Sequence, residues 1–209
     1  MITLFSGTPG SGKSLHLAQV LYDRIKLDNC VVIGNFAFNT KAIKGKKRGV
    51  YISIDNNRLK PDRLIKFSNM YRKRYCKGKP IKEGRFTLVI DECQILFNSR
   101  EWQMAGRNEW LSFFTQHRKF GFDIILVSQF DRMIDRQIRS LIEYEKIHRR
   151  VNNYGTFGKI VALASGGSLF VSVHMWYPLK QRLGAEFFVA KKKYYGLYDT
   201  YKMFDTVKG

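Results

Sequence analysis

Residues Gly7-Thr8-Pro9-Gly10-Ser11-Gly12-Lys13-Ser14 satisfy the pattern G-x-x-x-x-G-K-[ST] in full. Glycines let a backbone curl closely enough for several amide N–H groups to face one anion. A helix opening near Lys13 adds the positive end of its dipole. The chemistry implied is the cradling of nucleotide phosphates. The expected nucleotide contacts are Gly7, Thr8, Pro9, Gly10, Ser11, Gly12, Lys13, Ser14 and Leu15. Lys13 would reach the β- and γ-phosphates, and Ser14 would offer its hydroxyl to Mg²⁺.

A second group of residues complements the first. Leu88-Val89-Ile90 is apolar and runs into Asp91-Glu92. Asp91 at the end of a buried strand would hold Mg²⁺ together with Ser14. Glu92, directly after it, is the candidate general base that polarises an attacking water. The next apolar run, Ile124–Val127, ends in Ser128-Gln129. Parallel strands present their C-terminal ends to the ligand crevice, so Gln129 is expected to sense the γ-phosphate or hold the water. Arg118 is the candidate arginine finger, acting on a neighbouring subunit's site; Arg100, Arg107, Arg132, Arg136 and Arg139 compete for that role. His16, His117, His148 and His174 lack metal-site spacing and read as structural.

These groups need strands and helices to hold them. Ile2–Phe5 reads as a strand, and Ser14–Lys26 as a helix with Leu15, Ala18, Tyr22 and Ile25 on one face. Val31–Phe38 and Val50–Ile54 read as strands. Leu64, Phe67, Met70 and Tyr71 suggest a helix in the basic stretch from Pro61 to Arg85. Phe86–Ile90 and Asp123–Val127 have the continuous apolar character of buried parallel strands. Helices are expected over Trp102–Arg118, with Gly121 as the stop, and over Arg132–Tyr144. Strand-like runs then follow at 157–164, 169–177 and 185–190. The expected fold is α/β: a mainly parallel sheet flanked by helices, with a C-terminal antiparallel β extension. It is read as one domain over 1–209, with an α/β core at 1–150 and a β-rich extension at 151–209.

Composition narrows the partners. Among 209 residues, 37 Lys and Arg face 17 Asp and Glu, a net of +20, which favours a polyanionic neighbour such as nucleic acid or an anionic membrane surface. Hydrophobic residues at 44% are enough for a core and exclude global disorder. Phe67, Tyr71 and Tyr75 lie among the cations of Lys60–Arg85, a mixture that can bind single-stranded nucleic acid by stacking. The aromatics read better as the inner face of an amphipathic helix. Cys30, Cys76 and Cys93 form no disulfide framework, which suits a reducing compartment. The N-terminus lacks signal-peptide character. The uncharged run Ile160–Leu179 is broken by Gly166-Gly167 and reads as two strands joined by a turn, not as a membrane span.

Four segments, ITLFSGTPGSGKS, TLVIDECQ, QHRKFGFDIILVSQ and YYGLYDTY, together resemble the Zot (zonula occludens toxin-like) family, which includes the assembly ATPases of filamentous phages. The resemblance implies a P-loop NTPase of the additional-strand, catalytic-glutamate type, related to the FtsK/HerA motors. In that layout the strand ending at Ser128-Gln129 lies between those ending at Gly7 and Asp91. It further implies ATP-driven assembly and export of phage particles, with ATP and Mg²⁺ as cofactors, at the cytoplasmic face of the host inner membrane. The implied partners are further copies of the chain in a homo-oligomer, such as a hexameric ring, a phage coat or nucleoprotein complex with single-stranded DNA, and the inner-membrane export machinery. Family members usually carry a membrane span and a periplasmic part after this domain. The toxin activity in the family's name belongs to another region and is not carried over. Two other readings compete: a P-loop phosphotransferase acting on a small molecule, and a nucleotide-binding scaffold without turnover. A GTP switch fits poorly, since Asn39-Thr40-Lys41-Ala42 lacks the aspartate of N-K-x-D.

Overall fold

The computed structural model describes residues 1–100, 106–151 and 169–198. Its elements in chain order are β1 (Ile2–Ser6), α1 (Lys13–Lys26), β2 (Val31–Gly34), β3 (Val50–Ser53), α2 (Pro61–Tyr75), β4 (Phe86–Ile90) and α3 (Arg107–Gln116). There follow β5 (Phe122–Val127), α4 (Arg136–Ser140), β6 (Tyr144–Arg150), β7 (Leu169–Trp176), β8 (Gln181–Val189) and α5 (Lys192–Tyr195). The strands form one sheet in the order β3-β2-β4-β5-β1-β6-β7-β8. The first six are parallel; β7 and β8 continue the same sheet as antiparallel neighbours.

The continuous apolar runs have a simple cause: the central strands are covered on both faces. Leu88 and Ile90 of β4, with Leu4, Ile124 and Leu126, pack on the side of α2, α3 and α4. Val89, Phe5, Ile125 and Val127 pack on the side of α1, against Leu17, Leu21 and Ile25. The buried face of α1 centres on Leu17 and Leu21, so Leu15 and Tyr22 of the expected stripe lie at its half-buried margin. Helix α2 opens with Pro61 and Asp62 and ends with Arg72, Lys73 and Arg74, each sign at the matching end of the dipole.

Two expectations need correction. The helix expected over Arg132–Tyr144 is only the short α4, capped by Asp135, whose carboxylate accepts the N–H groups of Gln137 and Ile138. Tyr144 instead opens β6, a parallel neighbour of β1 that was not expected as a strand. Its sequence, YEKIHRR, is too charged to read as one. The sheet tolerates it because its buried polar groups are paired: Glu145 accepts from Ser6 Oγ at 2.7 Å and from Lys180 Nζ at 3.2 Å. The helix expected over Trp102–Arg118 begins, among the described residues, at Arg107 and gives way to a tight 3-10 turn, His117–Phe120, that stops at Gly121 with φ 77°. The strand expected at 157–164 lies outside the described residues.

Behind β1, His148 of β6 donates from Nδ1 to the Ser6 carbonyl at 3.1 Å, which leaves its Nε2 to accept from His16 Nδ1 at 2.8 Å. The two rings are 1% and 2% exposed. Burial holds His16 down to about 2, helped by His148, Lys146 and His174. It holds His148 down to about 4, against the bond to Ser6. The native state therefore keeps both rings neutral, whereas the unfolded chain protonates them below about pH 6.5. Stability is full above that value and falls with decreasing pH towards the folded-state values. Between pH 7.5 and 5.5 this pair is expected to remove about 3 kcal/mol, a fall in Tm of about 6–12 °C. Calorimetry at the two pH values checks it, with His148→Asn expected to shrink the fall; equal melting temperatures in the wild type would refute it.

Candidate functional site

The crevice lies where β1, β4 and β5 end. Parallel registers put those ends side by side: Phe5 opposite Val127, and Ile90 opposite Leu126. From Ser6 the chain turns at Gly7, whose N–H donates to the Gln129 carbonyl at 3.1 Å. The loop closes with Ser11 N–H on the Thr8 carbonyl and enters α1 through Gly12, which has φ 94°. A side chain at Gly12 would strike the Phe170 ring at 2.6 Å, and one at Gly7 would meet the His148 carbonyl at 2.5 Å. The glycines are thus required by close approach of the loop to β6 and β7.

The loop fits an anionic group. The first turn of α1 holds no acidic residue. Ser11 Oγ is buried and has no hydrogen-bond partner among the described residues. Lys13 bends back over the loop, donating to the Gly7 carbonyl at 2.5 Å and the Thr8 carbonyl at 3.2 Å. Burial lowers the Lys13 pKa, and the charges of Glu92 and Asp91 oppose that shift. Thr8, Pro9 and Gly10 form the exposed rim, while Ser14 and Leu15 are half-buried in the first turn of α1.

Asp91 is 5% exposed. Its backbone is clamped by Asn35: Asp91 N–H donates to Asn35 Oδ1 at 2.7 Å, and Asn35 Nδ2 donates to the Asp91 carbonyl at 2.9 Å. One carboxylate oxygen accepts the Glu92 N–H at 3.0 Å, and the other accepts the Tyr198 hydroxyl. Burial raises its pKa; the Tyr198 bond acts the other way, and the Glu92 charge adds to the rise. Glu92 sits at φ 45°, a left-handed conformation that a non-glycine residue adopts at some cost. It opens the 3-10 turn Cys93–Ile95, and its carboxylate accepts from Gln94 Nε2. A hard anionic oxygen from Asp91 and a hydroxyl from Ser14 are suitable donors for Mg²⁺.

Gln129 reaches the same edge on the loop after β5, half-buried beside Gly7 and Thr8. A cavity of about 470 Å³ opens there, and Arg149, Arg150 and Glu145 from β6 line its far wall. Arg118 is not brought to this site. It lies at the opposite edge, where β1 begins, and pairs with Glu143 at 2.5 Å. The five residues of β1 separate the two edges, about 17 Å of strand, so Arg118 cannot serve its own protomer's phosphate loop. Arg107 pairs with Asp135 at 2.6 Å, and Arg139 donates to the Asp131 carbonyl. Arg100 and Arg132 line a second cavity together with Gln94, at the crevice edge.

Sequence reasoning missed Asn35 and Tyr198 at Asp91, Gln94 at Glu92, and the arginines that end β6. Only Asn35 left a signal, as a polar residue one glycine beyond the apolar run Val31–Ile33.

The chain has relatives among known proteins. A family model described as Zonular occludens toxin (Zot) matches residues 1–201. The Gene 1 protein of Enterobacteria phage I2-2 is 35% identical over 85 residues, 39% of this chain and 23% of that protein. The chain thus matches about a quarter of the length of this curated relative. Among solved structures, the N-terminal domain of zonular occludens toxin from Neisseria meningitidis has a TM-score of 0.56 at 22% identity, covering 95% of this chain and 98% of that one. The genome packaging NTPase B204 from Sulfolobus turreted icosahedral virus 2, solved with AMPPCP, has a TM-score of 0.52 at 15% identity, covering 91% and 96%. These likenesses establish the P-loop NTPase fold.

Proposed function

The chain belongs to the Zonular occludens toxin (Zot) family, and from that premise we propose that it is an ATP-hydrolysing motor domain that serves assembly and export of filamentous phage particles at the host inner membrane. The observation that carries the reading is the meeting of three groups at one sheet edge: the phosphate loop after β1, the two carboxylates after β4, and Gln129 after the intervening β5. The residues divide the work. Loop amides and Lys13 bind the phosphates, and Ser14 with Asp91 would hold Mg²⁺. Mg²⁺, when bound, neutralises charge that develops on the phosphate oxygens. Glu92 accepts a proton from the attacking water, and Gln129 orients that water or senses the γ-phosphate. An arginine from a neighbouring protomer completes the site. Arg118 fits only that role in trans, given its place at the far edge.

The charge distribution supports a polyanionic partner. Lys44, Lys46, Lys47 and Arg48 lie on the loop that precedes β3, and Arg72, Lys73, Arg74, Lys77, Lys79 and Lys82 lie at the end of α2 and on the loop before β4. All are exposed. Both loops enter parallel strands, so these cations share the edge opposite the phosphate loop. A strand of nucleic acid drawn along that edge would leave the nucleotide crevice free. No helix among the described residues is long and apolar enough to cross a membrane.

Steady-state hydrolysis at rising protein concentration tests the proposal. Specific activity is expected to climb several-fold as protomers assemble, and to respond to single-stranded DNA. ADP release that depends on a small-molecule acceptor and not on protein concentration would favour the phosphotransferase. Nucleotide binding without turnover, unrelieved by forced oligomerisation, would favour the scaffold.

A further inference from the structure

The buried Asp91 carboxylate is gripped by a residue 107 positions further along the chain. After β8, helix α5 lies on α1: Tyr194 is buried and its ring is 5.6 Å from that of Tyr22. Leu197 is fully buried in the same core. The chain then runs beside the segment after β2. Asn39 N–H donates to the Leu197 carbonyl at 2.8 Å, and Asn39 Nδ2 donates to the Gly196 carbonyl at 3.3 Å. Phe38 and Tyr198 form an antiparallel bridge. The Tyr198 ring meets Phe36 edge-on, 4.7 Å between centroids. Those contacts place the hydroxyl on the carboxylate oxygen of Asp91 that the Glu92 N–H leaves unused.

A buried anion is stable only when its oxygens are partnered, and each partner also restricts its rotamer. Asn35 holds the Asp91 backbone and sits next to Phe36, the ring that supports Tyr198. Backbone and side chain of the aspartate are therefore fixed by two different segments that pack against each other. We propose that Tyr198 is a positioning residue for the metal-side carboxylate: through its hydroxyl, the C-terminal strap 192–198 sets the orientation in which Asp91 receives a divalent cation. This rests on the ATPase reading. By reciprocity, occupancy of the cation site and the seating of the strap bias each other, so chain attached to the strap feels the state of the site.

Tyr198→Phe keeps the ring and removes the hydroxyl that donates to Asp91. The test measures affinity for a fluorescent ATP analogue as Mg²⁺ is varied, alongside hydrolysis under the same conditions. The variant is expected to need about tenfold more Mg²⁺ for half-maximal effect, as suits loss of one hydrogen bond to a charged group. Its affinity in EDTA should match the wild type, while its melting temperature falls by about 2–12 °C, since one oxygen of the buried carboxylate loses its partner. An unchanged Mg²⁺ requirement would overturn the proposal. So would a lower requirement, since the hydroxyl would then be competing with the cation. As the control for packing, Tyr194→Phe leaves the hydroxyl on Asp91; a Mg²⁺ requirement raised there as far as in Tyr198→Phe would also overturn the proposal by tracing the effect to packing. Failure of the wild type to hydrolyse ATP would count against the motor reading instead, which keeps the two failures apart.

Discussion

Glu92→Gln is expected to lower kcat for ATP hydrolysis by about 10²–10⁴-fold while nucleotide affinity stays within a few-fold of the wild type. The amide has the shape of the carboxylate but cannot take a proton from water at neutral pH. The substitution disturbs little else. The strained left-handed backbone at this position is the same for either residue, and an amide oxygen can still accept the Gln94 hydrogen bond. Asp91 accepts the backbone N–H of residue 92, which the substitution leaves in place. Phosphate release measured beside fluorescent-nucleotide titration separates turnover from binding. A variant that binds ATP and retains full hydrolysis would remove Glu92 from the role of base. The left-handed turn would then need another explanation.

Lys13→Ala is expected to weaken ATP binding by about 10²–10³-fold and to abolish detectable turnover. The ammonium now bonded to the Gly7 and Thr8 carbonyls is the one flexible cation inside the loop. Each charge-assisted hydrogen bond that it can transfer to a phosphate is worth about 1.5–3 kcal/mol, so loss of one or two accounts for that range. Removal has a second effect. The charges of Glu92 and Asp91 favour the protonated ammonium, against the larger effect of burial. Without it the carboxylates face the phosphate charge with one neutralising cation fewer, and repulsion adds to the loss. The melting temperature of the ligand-free variant controls for folding. Unchanged nucleotide affinity in a folded variant would refute the phosphate-loop reading.

The parts of the site that were legible are those whose function is local. The phosphate binding proposed for Gly7–Ser14 rests on its own backbone, so residue types and spacing point to it wherever the loop sits. Leu88-Val89-Ile90-Asp91 reads as a buried strand ending in acid because burial on both faces demands an unbroken apolar run. The resemblance carried by four short segments also extended correctly to the placement of β5 between β1 and β4. Charged β6 was illegible because its polarity is compensated by partners far away: Ser6 and Lys180 at Glu145, and His16 at His148. No window of sequence contains both members of any of these pairs.

Read alone, the residue order yields the α/β class through periodicity, the phosphate loop and the acidic strand end through contiguous residues, and a resemblance to the family through four short segments. Folding in three dimensions was needed to set Arg118 at the edge away from its own protomer's phosphate loop, to bring the basic residues of two separate loops to one edge, and to seat Asn35 and Tyr198 on Asp91. Those facts depend on strand direction, register and the docking of α5. They arise from packing between segments 56 and 107 residues apart from Asp91, and pairing over such distances is set by the whole core rather than by neighbours in the chain.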